Sequence, residues 1–336
     1  VVFYAVLTIP RRFPVSERVA AGVPYRDMLK EVGAIGFLII SYLLFNELGR
    51  VFGFPQAVVY ALIAATVIGV GIYTRGLGAP IFLVMLVTIG PLATTELGTD
   101  TWITELMEPE MTALGVNAGW VLVYTSLIMT GLRFCAGPIV HRLSPIGLLM
   151  ASAALAICGL LFLSKAVGLT VLVAATLYGV GKTFLWPTTL GIVAERFPKG
   201  GALTLNGVSA VGVLFMGIIG APMIGLVQDR SVDAELAAAH PAIHSQVAGE
   251  PKKAILGLEA PTIDTDKLAA APPIARETVL AVQQTQKKAT LAKIAVLPGF
   301  MLACYLGLFL YFKSRGGYRP VNLHGEEKAR EGEPGF

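Results

Sequence analysis

Eight apolar runs constrain this chain of 336 residues more than any other feature: 34–49, 56–74, 80–99, 117–137, 144–164, 167–194, 202–227 and 292–313. A helix crosses hydrocarbon with about 20 apolar residues, and only structures that pair every backbone group internally survive there. The runs lack the two-residue alternation of a membrane β-barrel, and Pro, Gly or charged residues bound each one. Charged residues make up only 14% of the chain, against roughly 25% in soluble domains, too few to cover a water-soluble body of this size. The predicted class is all-α, a polytopic helical membrane protein whose first partner is the lipid bilayer.

The distribution of charge gives sidedness. The net charge is +4, but the basic residues sit between apolar runs rather than on one face, so no nucleic-acid partner is expected. Eight crossings put segment 11–33 and tail 314–336 on one side, with Arg11, Arg12, Arg18, Arg26, Lys30, Arg75, Arg142, Arg196, Lys199 and Lys313. The opposite short connections hold Arg50 and Lys165, while 98–116 carries Glu105, Glu108 and Glu110 and no Lys or Arg. By the positive-inside rule the basic side is cytoplasmic, as for a bacterial inner (plasma) membrane protein with a cytoplasmic C-terminus.

Segment 228–291 breaks this pattern. It is rich in Ala, Pro, Glu and Lys, too long for the charge rule, and reads as a solvated extracytoplasmic hairpin or cap. Apolar spacing from Ile274 to Val282 predicts a helix leading into the last span. His240 and His244 are four apart but separated by Pro241 and lack a third ligand, so no metal site is expected. Cys135, Cys158 and Cys304 lie in apolar stretches and read as small buried hydrophobes. The tail is polar and Gly-rich and reads as disordered. Val1–Pro10 reads as the last turns of a preceding helix, the expectation being the C-terminal part of a longer protein.

Ionisable side chains inside a span need a partner or water. Four stand out: Glu47, Glu96, Arg133 and Lys182. Glu47 has Arg50 one turn away as an interfacial partner, and Arg133 is close enough to a helix end to snorkel. Glu96 and Asp100 are four apart, on one face of any helix that continues through them. Two neighbouring, desolvated carboxylates suit a proton-coupled site, the alternative being a wet cluster at the outer mouth. Lys182 and Trp186 are one turn apart, and Pro187 removes the hydrogen bond that would end on the Thr183 carbonyl. Gly179 and Gly181 admit a close neighbour. A breakable helix bearing a cation, an aromatic plate and hydroxyls has the means to hold a polar solute. The alternative is a purely structural Lys182, paired with Glu96 or another acid. Gly217, Ala221 and Gly225 form a four-residue small stripe, and Pro222 adds a bend. Gly181-Lys182-Thr183 lacks the upstream glycine of a phosphate loop. No nucleophile-and-base set, zinc motif or cofactor motif is present, so an enzyme is not expected.

Gly137-Pro-Ile-Val-His-Arg142-Leu-Ser-Pro-Ile-Gly147 resembles the short cytoplasmic signature of the major facilitator superfamily, with His141 where an acid is expected. The Pro187 region, Glu195-Arg-Phe-Pro-Lys-Gly-Gly201 and Gly220-Ala-Pro-Met-Ile-Gly225 resemble the tenth and eleventh helices of its sugar-permease-like members. The resemblance implies that 80–313 is the C-terminal six-helix bundle and 34–74 two additional helices. It also implies that Val1–Pro10 ends the sixth helix, 11–33 is a cytoplasmic linker, and an N-terminal half of the same chain is missing. The implied function is alternating-access transport of a small polar organic solute such as a sugar or nucleoside, coupled to protons. Glu96, Asp100, Lys182 and Trp186 would bind solute or proton, and Gly137, Arg142, Pro187 and Pro222 would serve gating. A non-transporting membrane scaffold or sensor with the same fold is the rival expectation.

Overall fold

A computed structural model of the chain describes residues 17–113, 115–137, 143–253, 258–321 and 323. Val1–Pro10, Arg142 with His141, and most of the expected tail lie outside the described residues. The described residues are mainly α-helical, and six of their helices are long and apolar enough to cross a membrane.

The first two, α1 (Tyr25–Phe52) and α2 (Gln56–Thr74), form a hairpin. Tyr25–Val32 of the expected linker is already helical, and α1 kinks at Gly33, where φ is 64° and ψ 180°. That kink turns the backbone onto the loop before the next helix. Ala34 N–H donates to the Gly76 carbonyl at 3.0 Å, and Ala79 N–H to the Glu31 carbonyl at 2.9 Å. A Cβ on Gly33 would lie 2.0 Å from Gly78 N, so both the positive φ and the close approach require glycine.

The bundle follows. Its first member is one long rod made of α3 (Pro80–Ala93), a π-helical turn, π1 (Thr94–Gly98), and α4 (Thr99–Ala113). Next come α5 (Gly119–Phe134), α6 (Pro145–Leu163), α7 (Thr170–Lys182) and α8 (Leu185–Arg196). A second bulged rod joins α9 (Ala202–Phe215), π2 (Met216–Gly220) and α10 (Ala221–Ala239). Phe82, Met85, Leu86 and Ile89 of α3 meet Leu149 of α6, Val208 and Val211 of α9, and Met301 and Tyr305 of the last helix in the main core. α6 and α7 approach closely through glycines: a Cβ on Gly159 would sit 2.6 Å from the Tyr178 backbone, and one on Gly181 2.5 Å from Ala156 N. Such contact supplies the dispersion attraction that lipid-embedded helices need in place of a hydrophobic drive.

Several expectations change here. The run 167–194 is two helices, not one, and the run 117–137 yields only the 16-residue α5. The small-residue contact on the second rod is Gly220, not the stripe Gly217–Ala221–Gly225. Cβ atoms on Gly217 and Gly225 would meet nothing within 4 Å, whereas one on Gly220 would clash with Thr94. The extra residue of a π turn rotates the face that a regular helix would present. Cys135 and Cys158 are exposed, on faces free of protein neighbours, rather than buried.

The described residues of segment 228–291 fold into helices and a short β-hairpin around a core of their own. α10 continues to Ala239; α11 (Pro241–Val247), a two-residue hairpin of β1 (Lys252–Lys253) and β2 (Glu259–Ala260), and α12 (Thr265–Ala270) follow. α13 (Pro273–Ile294) then leads almost without a break into α14 (Val296–Ser314). The rods Ala202–Ala239 and Pro273–Ser314 contain 38 and 42 residues. At about 1.5 Å per residue each is roughly twice as long as the ~30 Å hydrocarbon layer, so much of both stands outside it. Val232 and Leu236 of α10 meet Ala275, Val279 and Val282 of α13, the predicted helical face, in a separate core. His244 pairs with Asp233 at 2.8 Å. No metal-binding group occurs among the described residues.

Candidate functional site

The site begins with Pro91. Lacking an N–H and bringing its ring against the preceding turn, it weakens the helix around it. Three residues later the chain widens into π1. π1 packs on π2, where Gly220 brings its backbone against Thr94, whose hydroxyl donates to the Gly90 carbonyl at 3.0 Å. Two bulged helices thus meet at one level, and π turns inside helices often mark functional positions.

Glu96 lies within π1 and is buried, with 7% of its side chain exposed. Its Oε1 accepts from Arg133 Nη2 at 3.1 Å. Asp100, in the first turn of α4, accepts instead from Lys182 Nζ, and the lysine side chain is 1% exposed. The four-residue spacing therefore brings both carboxylates to the same place but gives each its own cation. The Tyr178 hydroxyl touches the Thr95 carbonyl and lies 2.5 Å from Thr99 Oγ1, and its ring centroid is 5.4 Å from Lys182 Nζ.

The opposite wall is a broken helix. Pro187 leaves the Thr183 carbonyl without its helical donor, as the sequence predicts, and the chain breaks between Lys182 and Leu185. Arg133 fills the gap: its Nε donates to the Thr183 carbonyl at 3.1 Å. One guanidinium thus ties the π turn of the first rod to the break between α7 and α8. The snorkelling expected of Arg133 is corrected, because the side chain turns inward to Glu96. The sequence signal is one unmatched cation and one unmatched acid, but their separation of 37 positions gives no spacing rule.

Lys182 is paired with an acid, which matches the structural alternative. Its aromatic neighbour is Tyr178, one turn before it, rather than Trp186, one turn after. The break moves Trp186 out of register. It is half-buried against α9, 3.1 Å from where a Gly212 Cβ would sit. Pro222 occupies the first turn of α10, directly after π2, and a Cβ on Gly137 would meet nothing within 4 Å among the described residues. Glu47 and Arg50 form the expected pair, at 2.5 Å.

Two buried atoms at the centre have no partner among the described residues: Glu96 Oε2 and Thr95 Oγ1. A cavity of about 290 Å³ opens on Arg133 and is lined also by Phe184, Pro187, Thr188, Ile192 and Glu195; Glu96 and Thr95 are not among its lining residues. The two acids and two bases cancel, so the site is neutral when all are charged. An unpaired carboxylate oxygen in an apolar bundle is a costly feature that a purely structural ion pair does not need. No family model, curated protein or solved structure matches this chain.

Proposed function

We propose that the chain belongs to a secondary active transporter of the major facilitator type. It moves a small polar organic solute such as a sugar or nucleoside, coupled to protons, in a bacterial inner membrane with the C-terminus in the cytoplasm. The observation that supports this reading most is the half-satisfied Glu96. Arg133 holds one of its oxygens and the other, buried, has no partner among the described residues, at the level where two π turns and a helix break meet. Irregular backbone at membrane depth is tolerated where it is enclosed by protein or lines a cavity, and discontinuous helices are a recurrent basis for solute sites in transporters.

In this reading Glu96 carries the proton and Arg133 holds its charged form. Asp100 and Lys182 form the buried ion pair neighbouring Glu96, and Pro187, Pro222, Gly137 and Arg142 serve the change between inward-open and outward-open forms. The second lobe of the carrier is the partner this reading requires. Glu96→Gln in the complete gene product, reconstituted in vesicles, is expected to abolish accumulation driven by a pH gradient while sparing solute exchange. Unchanged pH-driven accumulation would remove Glu96 from coupling.

The ordered cap favours one rival, a membrane sensor that keeps the fold and uses residues 228–291 for a partner. Its separate core, Val232, Leu236 and Val279 among others, gives it a built surface outside the bilayer. Deleting the cap distinguishes the two: uptake that survives deletion supports a carrier with an accessory cap.

A further inference from the structure

The donor pattern of Arg133 narrows the solute class. Its Nε is committed to the Thr183 carbonyl and its Nη2 to Glu96, while Nη1 has no partner among the described residues, and 42% of the side chain is exposed. The guanidinium forms part of the cavity wall, so its open edge, Nη1 with the second hydrogen of Nη2, offers two parallel donors. That geometry fits a carboxylate. Phe184, Pro187 and Ile192 make the rest of the wall largely apolar. At the far end Glu195 already accepts from the Tyr318 hydroxyl at 2.7 Å. A neutral solute would leave the Arg133 edge unused in a partly desolvated place.

We propose that the solute is a small organic acid whose carboxylate binds the open edge of Arg133, a sugar acid being the sugar-sized case. This rests on the transporter reading and deepens it. Charge balance then fixes what travels with it. The charged groups around Glu96 are Arg133 on α5, Lys182 on α7 and Asp100 on its own rod, with the Tyr178 hydroxyl nearby. With all four charged the group is neutral, and Glu195 adds a negative charge at the far end of the cavity, so a solute carboxylate brings one further negative charge in excess. One proton taken from water onto Glu96 removes that excess. Arg133 then neutralises the solute instead of Glu96, and acid and proton cross together with no net charge moved. A neutral sugar provides no such exchange of partners.

The experiment compares gluconate, lactate and benzoate, each with its own amide, on the complete gene product. Binding is read by the thermal shift of the purified protein at pH 5.5 and 8, and transport by uptake into vesicles under a pH gradient. At least one acid is expected to bind at least tenfold more tightly than its amide, more strongly at pH 5.5, with electroneutral uptake. Arg133→Gln is expected to lose that preference. Because it strands Glu96, the double variant Glu96→Gln with Arg133→Gln provides a folded, neutral control that also loses it. Amides binding as tightly as acids, or the double variant keeping the acid preference, overturns the proposal. If amides or glucose accumulate on the gradient while the acids do not, the transporter reading stands and the organic-acid class falls. If no probe binds or accumulates, both fall.

Discussion

Two helices of nearly equal apolarity have opposite fates in this protein. Gln56–Thr74 has a mean hydropathy of 2.0 and is 17% buried, while Pro80–Thr101 has 1.7 and is 72% buried. In water the more apolar segment would form the core. In a bilayer lipid is as good a neighbour as leucine, so apolarity does not choose the interior. Pro80–Thr101 is held inside by the features α2 lacks: Gly90 against Phe215, Thr94 against Gly220, Glu96 on Arg133 and Asp100 on Lys182. α2 is smooth, touches little beyond α1, and leaves Ile68 and Ile72 exposed. Polarity and irregular backbone mark the inside of this molecule.

Breaking the polar contacts of the inner helix should therefore cost the most. Lys182→Met leaves Asp100 charged and unpaired, with an expected loss of about 3–5 kcal/mol. Detergent-phase unfolding measures this, and adding Asp100→Asn should recover most of it. Gly181→Ala forces a Cβ against the Ala156 backbone, an overpacking expected to cost about 1–3 kcal/mol in the same assay.

The cap sharpens the contrast, because outside the bilayer the ordinary rules of water return. Asp264 accepts from the N–H groups of Lys267 and Asp266 at the start of α12, and the Lys267 bond is the leading cause holding its carboxyl below the usual aspartate range. A depressed folded value means the contribution is fully present above the ordinary aspartate range and is lost as pH falls through the depressed one. Asp264→Ala should loosen the cap at neutral pH, and the difference from wild type should vanish in strong acid, as read by amide exchange. Smallest of all, Ile72→Ala on the lipid face of α2 should change stability by less than about 0.5 kcal/mol. A larger loss would mean that α2 has a protein neighbour in the membrane.

Much of this was legible from residues alone. Apolar runs locate the helices, Pro187 locates the break and the orphaned Thr183 carbonyl, the cost of charge in hydrocarbon marks Glu96 and Lys182, and the four-residue spacing from Glu96 marks Asp100. The partner of Glu96 was not legible, because Arg133 also sits near a helix end, where snorkelling satisfies it equally well. Nor were the π turns, which change the facing of Gly217, Gly220 and Gly225 without altering hydropathy. Trp186 was misaligned because a turn-by-turn count assumes a continuous helix, and the break lies between it and Lys182. The cap's order escaped because its core is a few residues from each of several short elements. Only α13, from Ile274 to Val282, has a readable period, and Ile274 itself is exposed while Ala275 takes its place in the core.

The reading that polar groups inside the bundle face water, not sealed protein or lipid, is tested most directly by thiol accessibility. In a background with Cys135, Cys158 and Cys304 replaced by serine, a cysteine at Thr188 in the cavity beside Arg133 is compared with one at Ile72. A membrane-impermeant reagent added from the side bearing Arg196 and Lys199 is expected to modify position 188 quickly and position 72 hardly at all. Equal, slow modification of both positions would contradict a water-filled vestibule at the Glu96–Arg133 pair.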